Sequence, residues 1–161
     1  MKNRLYTYLA GWIFLWLPAL LLAQTINSPT AFFLMHSSGN HVAKDAQGGA
    51  VLEAADAPSP QKLTFIPDGN GYYALQSDDG QGYLSLSGQW NTSFTTDPSS
   101  AKALYAIENS GKFFIKLRCK YNNKYLGTDG TTASSAVYSD KDGTDTRHLW
   151  YLTTDVHQAP P

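Results

Sequence analysis

Four histidines, one cysteine and a run of acids between positions 140 and 145 are the residues of this 161-residue chain with the most obvious chemical potential. The histidines stand at 36, 41, 148 and 157, without the spacing that gathers three or four ligands around a metal ion. Cys119 is the only thiol, so it has no internal disulfide partner and reads as a small buried packing residue. Asp140-Lys141-Asp142-Gly143-Thr144-Asp145 alternates carboxylates as a calcium loop would, because hard cations take oxygen ligands. It departs from that pattern where it matters. Thr144 takes the fifth position, Tyr151 falls where a bidentate Glu is needed, and Lys141 puts a cation inside the loop. The segment reads instead as a solvated turn held by Asx hydrogen bonds. The sequence has no G-x-S-x-G, H-E-x-x-H or phosphate-cradling Gly-rich motif. Its acids present no pair singled out for glycoside hydrolysis. No catalytic residue, no metal site and no cofactor is expected.

The elements that must position any working residue come after an apolar leader. Residues 1–23 combine Lys2 and Arg4 with an uncharged run from Leu9 to Ala23, the pattern of a secretory signal peptide cleaved before Gln24. The run is shorter than the roughly 20 apolar residues of a membrane span. A secreted, periplasmic or cell-surface location follows, with no stable membrane insertion after cleavage. The whole chain carries 12 Lys+Arg against 13 Asp+Glu, and losing Lys2 and Arg4 leaves a net charge of −3. That balance excludes a nucleic-acid binder driven by phosphate contacts. The remaining length suits one domain with its own core, and a monomer is expected.

Helical periodicity is nearly absent after residue 30. Short alternating runs separated by Gly, Asp, Asn, Ser and Pro predict an all-β chain, and the runs repeat. Phe33-Leu34-Met35-His36-Ser37 aligns with Tyr73-Ala74-Leu75-Gln76-Ser77 and Ile115-Lys116-Leu117-Arg118-Cys119. This makes Met35, Leu75 and Leu117 equivalent and puts Cys119 in the slot of Ser37 and Ser77. His41-Val42-Ala43 aligns with Tyr83-Leu84-Ser85 and Tyr125-Leu126-Gly127. His41 should then pack half-buried. Leu52, Phe94 and Val137 form a third set. The fourth comprises Leu63 with Phe65, Tyr105 with Ile107, and Trp150 with Leu152. Three units of about 42 residues with four strands each predict twelve short strands sharing one core. The expected units are 32–71, 72–112 and 113–155, after an N-terminal lead at 24–31 and before a disordered tail at 156–161. Three units are too few to close a propeller, whereas a six-stranded barrel capped by three hairpins, the β-trefoil, fits them.

With "KYLG" at Lys124–Gly127, "GYLS" at Gly82–Ser85 and the stretch Lys124–Leu152, residues 32–155 resemble the β-trefoil lectins, both ricin-B-like and fascin-like. They are also similar to trefoil modules attached to secreted bacterial polysaccharide-degrading enzymes. The ricin-like Gln-x-Trp signature is partial: Gln61-Lys62-Leu63 keeps the Gln, and Arg147-His148-Leu149-Trp150 keeps the Trp.

The resemblance implies shallow sugar sites, one per repeat. In each, an acid near the second strand, an aromatic near the third and a polar residue before the fourth would meet. The matching positions are Asp45, Glu53 and Gln61 in repeat 1, Ser87, Thr95 and Ala103 in repeat 2, and Asp129, Tyr138 and His148 in repeat 3. Repeat 3 keeps both an acid and an aromatic and is the best expected site. Repeat 1 is second, and repeat 2 looks empty. Asp129, in Thr128-Asp129-Gly130, could instead shape its turn. Trp90, in the turn Gly88-Gln89-Trp90-Asn91, is either a stacking platform or a plug under the barrel. Trp150 should be core. The function implied is non-catalytic carbohydrate binding, with a glycan or polysaccharide as partner. The alternative is a protein-binding trefoil, a protease inhibitor or adhesion module, presenting the Ala54–Gln61 loop with Pro58 and Pro60.

Overall fold

The computed structural model describes residues 25–158, so the expected signal peptide lies outside them. Among the described residues no helix is long and apolar enough to cross a membrane. The alternating runs form twelve strands: β1 (Thr30–His36), β2 (His41–Lys44), β3 (Ala50–Glu53), β4 (Leu63–Pro67), β5 (Tyr73–Ser77), β6 (Tyr83–Ser87), β7 (Asn91–Thr95), β8 (Leu104–Ser110), β9 (Phe114–Cys119), β10 (Tyr125–Thr128), β11 (Val137–Lys141) and β12 (Trp150–Thr153). Single 3₁₀ turns at Ala101–Ala103 and Thr146–His148 lead into β8 and β12.

Antiparallel pairing closes a ring through β1, β4, β5, β8, β9 and β12 and back to β1. The remaining strands form the hairpins β2–β3, β6–β7 and β10–β11. Three equivalent backbone hydrogen bonds join these hairpins into a cap. Leu52 N donates to Ser135 O, Phe94 N to Gly48 O and Ser139 N to Trp90 O, each at 2.8 Å. No strand can bury a face alone at four to seven residues, so the three units share one apolar interior. Leu63, Tyr105 and Trp150 form one layer of it, and Val42, Leu84 and Leu126 another; all are buried. Each such side chain contributes about 1.5–3 kcal/mol by leaving water. The Trp150 indole also donates to Leu126 O at 2.9 Å, so its one polar atom is satisfied.

The strand registers correct the sequence alignment at two places. Phe65 faces Leu75, Ile107 faces Leu117 and Leu152 faces Leu34, so Leu34 is the equivalent of Leu75 and Leu117. Met35 is buried too, but it lies in a second cluster with Phe33, Tyr151 and Val156 on the outside of the barrel. A one-residue shift turns every side chain to the other face. The cause is the β1–β2 turn: the bond from His36 N to Asn40 O closes a turn one residue shorter than those from Ser77 N to Gly82 O and Cys119 N to Lys124 O. Cys119 therefore shares its slot with Ser77, as expected, and with His36 instead of Ser37.

The second correction concerns the third strands. Val42 faces Leu52, Leu84 faces Phe94 and Leu126 faces Ser139, so Ser139 completes the set assigned to Val137. Val137 belongs with Ala50 and Thr92.

The flanking segments also differ from expectation. Ile26, in the N-terminal lead, is part of the main core. Val156 is buried against Phe33, Met35 and Tyr151, and Gln158 receives hydrogen bonds from Tyr151 and Thr153. Residues 156–158 are therefore not a loose tail. They cover an apolar outer face that β1 has and its equivalents, β5 and β9, lack: Met35 aligns with Gln76 and Arg118.

Candidate functional site

Residues directly opposite each other on antiparallel strands point to the same face, and alternate residues along a strand share a face. Gly127 lies opposite Tyr138, and Tyr138 lies opposite Asn91 of β7. On the far side of Gly127 sits His148. A Cβ on Gly127 would fall 2.5 Å from His148 Cδ2. One side of the hairpin therefore carries a row of Gly127, Tyr138 and Asn91, with the buried His148 packed against Gly127. Asp129, two residues after Gly127, and Asp140, two after Tyr138, extend the same face. The intervening residues Leu126, Thr128, Val137 and Ser139 point inward and are buried.

Local bonds hold this surface in shape. The Tyr138 hydroxyl donates to Thr128 O at 2.6 Å, which lays the phenol along its own hairpin with the side chain half-buried. Thr128 Oγ1 donates to Gly130 O at 2.7 Å and shapes the turn, leaving Asp129 exposed. Asp145 caps the 3₁₀ turn. One carboxylate oxygen accepts from Arg147 N at 2.9 Å, and the other accepts from Arg147 Nε at 2.7 Å and lies 2.6 Å from Nη2. These bonds from Arg147 hold the Asp145 carboxyl at about 2 and push the guanidinium up. Burial, and then the Asp140 carboxylate, push the Tyr138 phenol up. Burial pushes the His148 imidazole down, although its Nδ1 lies 3.2 Å from Asp145 O.

The acid and the aromatic expected for repeat 3 are thus on one face, but His148 does not serve the expected role. It is fully buried, filling the space that a side chain at 127 would take, and so cannot form a rim. Tyr138 is also not the positional counterpart of Glu53 and Thr95; Asp140 is, and Tyr138 matches Val51 and Ser93.

Repeat 1 has the polar residues but uses them internally. Asp45 accepts from Gln47 N and Gly49 N and shapes its own turn. Gln61 accepts from Lys44 N and donates to Lys44 O. His41 is fully buried, not half-buried, with Nε2 at 3.1 Å from Glu53 and 3.2 Å from Gln61 N. Repeat 2 offers Ser87, Ser93 and Thr95, with Ser85 and Ala103 buried.

Trp90 is 42% exposed, which removes the plug reading. Its carbonyl accepts from Ser139 N, fixing this turn beside β11. Asn91 and Gly127 were not visible as site residues from the sequence. The seam between β7 and β11 follows from no local pattern, and the need for a glycine appears only when His148 is in place.

Two concavities lie elsewhere. One, of about 60 Å³, is lined by Ile26, Phe32, Ile107, Phe113 and Leu152. The other, an open one of about 350 Å³, lies between Ser38–Asn40, Ala54–Asp56 and Val156–Gln158. Among the described residues no three His, Cys, Asp or Glu side chains are grouped to hold a metal. In the 140–145 loop, Lys124 pairs with Asp142 at 2.5 Å and Lys116 Nζ donates to Gly143 O.

A closed six-stranded barrel with three capping hairpins defines a β-trefoil-like protein. No family model matches the chain, and no curated relative matches it. Solved structures do. ThreeFoil, a designed threefold symmetric protein, aligns at a TM-score of 0.70 with 15% identity, over 76% of this chain and 97% of that one. The Polyporus squamosus lectin, solved bound to Neu5Aca2-6Galb1-4GlcNAc, aligns at 0.65 with 11% identity, over 80% of this chain and 50% of the lectin. An exo-beta-1,3-galactanase from Clostridium thermocellum aligns at 0.67 with 15% identity, over 77% of this chain and 30% of the galactanase. At these identities the likeness is one of fold.

Proposed function

We propose that this chain is an exported, non-catalytic carbohydrate-binding module of the lectin-like β-trefoil kind, ricin-B-like or fascin-like, with its working site on repeat 3. The carrying observation is the outward row in which an exposed acid, Asp129, and a half-exposed aromatic, Tyr138, share one face. A saccharide presents hydroxyls at its edge and an apolar face. A carboxylate suits the first and an aromatic ring the second. Repeats 1 and 2 lack this combination: Val51 and Ser93 replace the aromatic, and Asp45 is committed to its turn. The lectin and galactanase neighbours support the reading at the level of fold. Glycan-array screening of residues 24–161 tests it. Binding to saccharides is the expected result. A blank array would overturn it in favour of a protein partner engaged by the Ala54–Gln61 loop.

A further inference from the structure

The Tyr138 face does not end at the boundary of its own repeat. Threefold symmetry makes the contact between Asn91 and Tyr138 equivalent to those between Gly49 and Ser93 and between Ala136 and Val51. Two of these seams carry only small or aliphatic side chains. The third sets an amide beside a phenol ring, with the 42%-exposed Trp90 one residue away. Asn91 is exposed, and its amide makes no hydrogen bond among the described residues. An amide both donates and accepts, which matches a sugar hydroxyl in either role. Trp90 is tied to β11 by its backbone bond to Ser139, and its exposed indole stands at the tip of the β6–β7 turn, one residue before Asn91.

The charges at this face also bear on the ligand. Arg147 is bonded to Asp145 through two of its nitrogens, so its guanidinium is engaged. Asp129 presents a carboxylate to solvent. An anionic sugar would meet that charge with the arginine already paired, and like charges at short range are unfavourable.

We infer that the repeat 3 site is a composite one, completed by Asn91 and Trp90 of repeat 2, and that it takes an uncharged saccharide of at least two units. This rests on the carbohydrate-binding reading and deepens it. Asn91 bonds hydroxyls of the unit stacked on Tyr138, and Trp90 stacks the next unit.

The test uses a panel of neutral mono- to hexasaccharides, including beta-1,3-galactan fragments and Galb1-4GlcNAc, with sialylated, sulfated and uronate-containing counterparts. Titration follows on the strongest neutral binder for wild type, Asn91→Ala, Trp90→Ala and Asp129→Ala, with melting temperature as the folding control. Neutral oligosaccharides should bind more tightly than their monosaccharides and than the anionic counterparts. Asn91→Ala should weaken binding about tenfold or more. Trp90→Ala should abolish the advantage of the longer ligand over its monosaccharide. If Asn91→Ala and Trp90→Ala both bind within twofold of wild type while Asp129→Ala does not, the composite site is wrong and the repeat 3 reading stands. Preference for anionic glycans would overturn the assignment of ligand class. No binding anywhere on the panel would overturn the carbohydrate reading and this inference together.

Discussion

Gly127 and His148 are sterically matched: the imidazole occupies the volume that any side chain at 127 would need, 2.5 Å from an ideal Cβ. The match joins β10 to the 3₁₀ turn before β12 and so holds the floor of the candidate site to its wall. Ala43 and Ser85 fill the equivalent positions in the other repeats, where Gln61 and Ala103 replace the histidine.

Gly127→Ala should therefore cost about 1–3 kcal/mol through overpacking, lowering Tm by about 4–12 °C. The double variant with His148→Ala should lose less than the sum of the two single changes, because the clash disappears with the ring. Additive losses in thermal melts would show that the two residues are not coupled.

Stability should fall as the solution is acidified through the histidine range. Burial holds His36, His41 and His148 below the ordinary 6.5. The unfolded chain then binds more protons than the folded one as pH falls from 6.5 toward the lowered folded values. The stabilisation is fully present above 6.5 and is lost through that window. Asp79 and Asp145, held at about 2 by bonds from Lys44 and Arg147, remain ionised there. Their contribution is lost only as pH falls from 3.8 toward about 2. His148→Gln, which borrows the residue found at 61, should flatten the pH dependence of Tm below about 6.5. An unchanged slope would place the effect on His36 and His41 alone.

Cys119→Ser should fold, at a cost of about 1 kcal/mol, because Ser77 already occupies the equivalent slot. The wild-type thiol is buried, and burial pushes it up and away from the reactive thiolate. It should react with a thiol reagent only at the rate of unfolding. Rapid labelling of the native protein would contradict the burial.

Val156→Ala should cost about 1–2 kcal/mol, read as a lower urea midpoint, since Val156 covers Phe33, Met35 and Tyr151. A deletion of 155–161 should cost more and expose an apolar face to dye binding. No change in either variant would mean that this segment does not cover β1 in solution.

At the site, Asp129→Ala should weaken saccharide binding about ten- to hundredfold, the scale of one or two charge-assisted hydrogen bonds. Thr95→Ala, at the repeat 2 position that matches Glu53 and Asp140, should leave affinity unchanged. Calorimetry with the saccharide selected on the array distinguishes these outcomes.

Much of the architecture was legible in the sequence because strand alternation is local. The inward layer of Leu63, Tyr105 and Trp150 sits where the 42- and 45-residue steps put it. Cys119 is buried in the slot that Ser77 fills in repeat 2, and the Asp129–Tyr138 hairpin carries both residues on one side. Alignment by residue type failed where a turn changed length. The β1–β2 turn is one residue shorter than its counterparts, and a conspicuous methionine took the place of Leu34 in the comparison. The sequence also could not tell which polar groups remain available to a ligand. Asp45 and Gln61 have suitable chemistry, yet backbone partners two to seventeen residues away engage them. The placing of Asn91 against Tyr138, and of His148 against Gly127, was decided only by tertiary structure. The first pair is 47 residues apart and meets because closing the barrel draws the three hairpins into one cap whose seams no single repeat encodes; the second, 21 apart within repeat 3, meets because β10 packs against the 3₁₀ turn before β12.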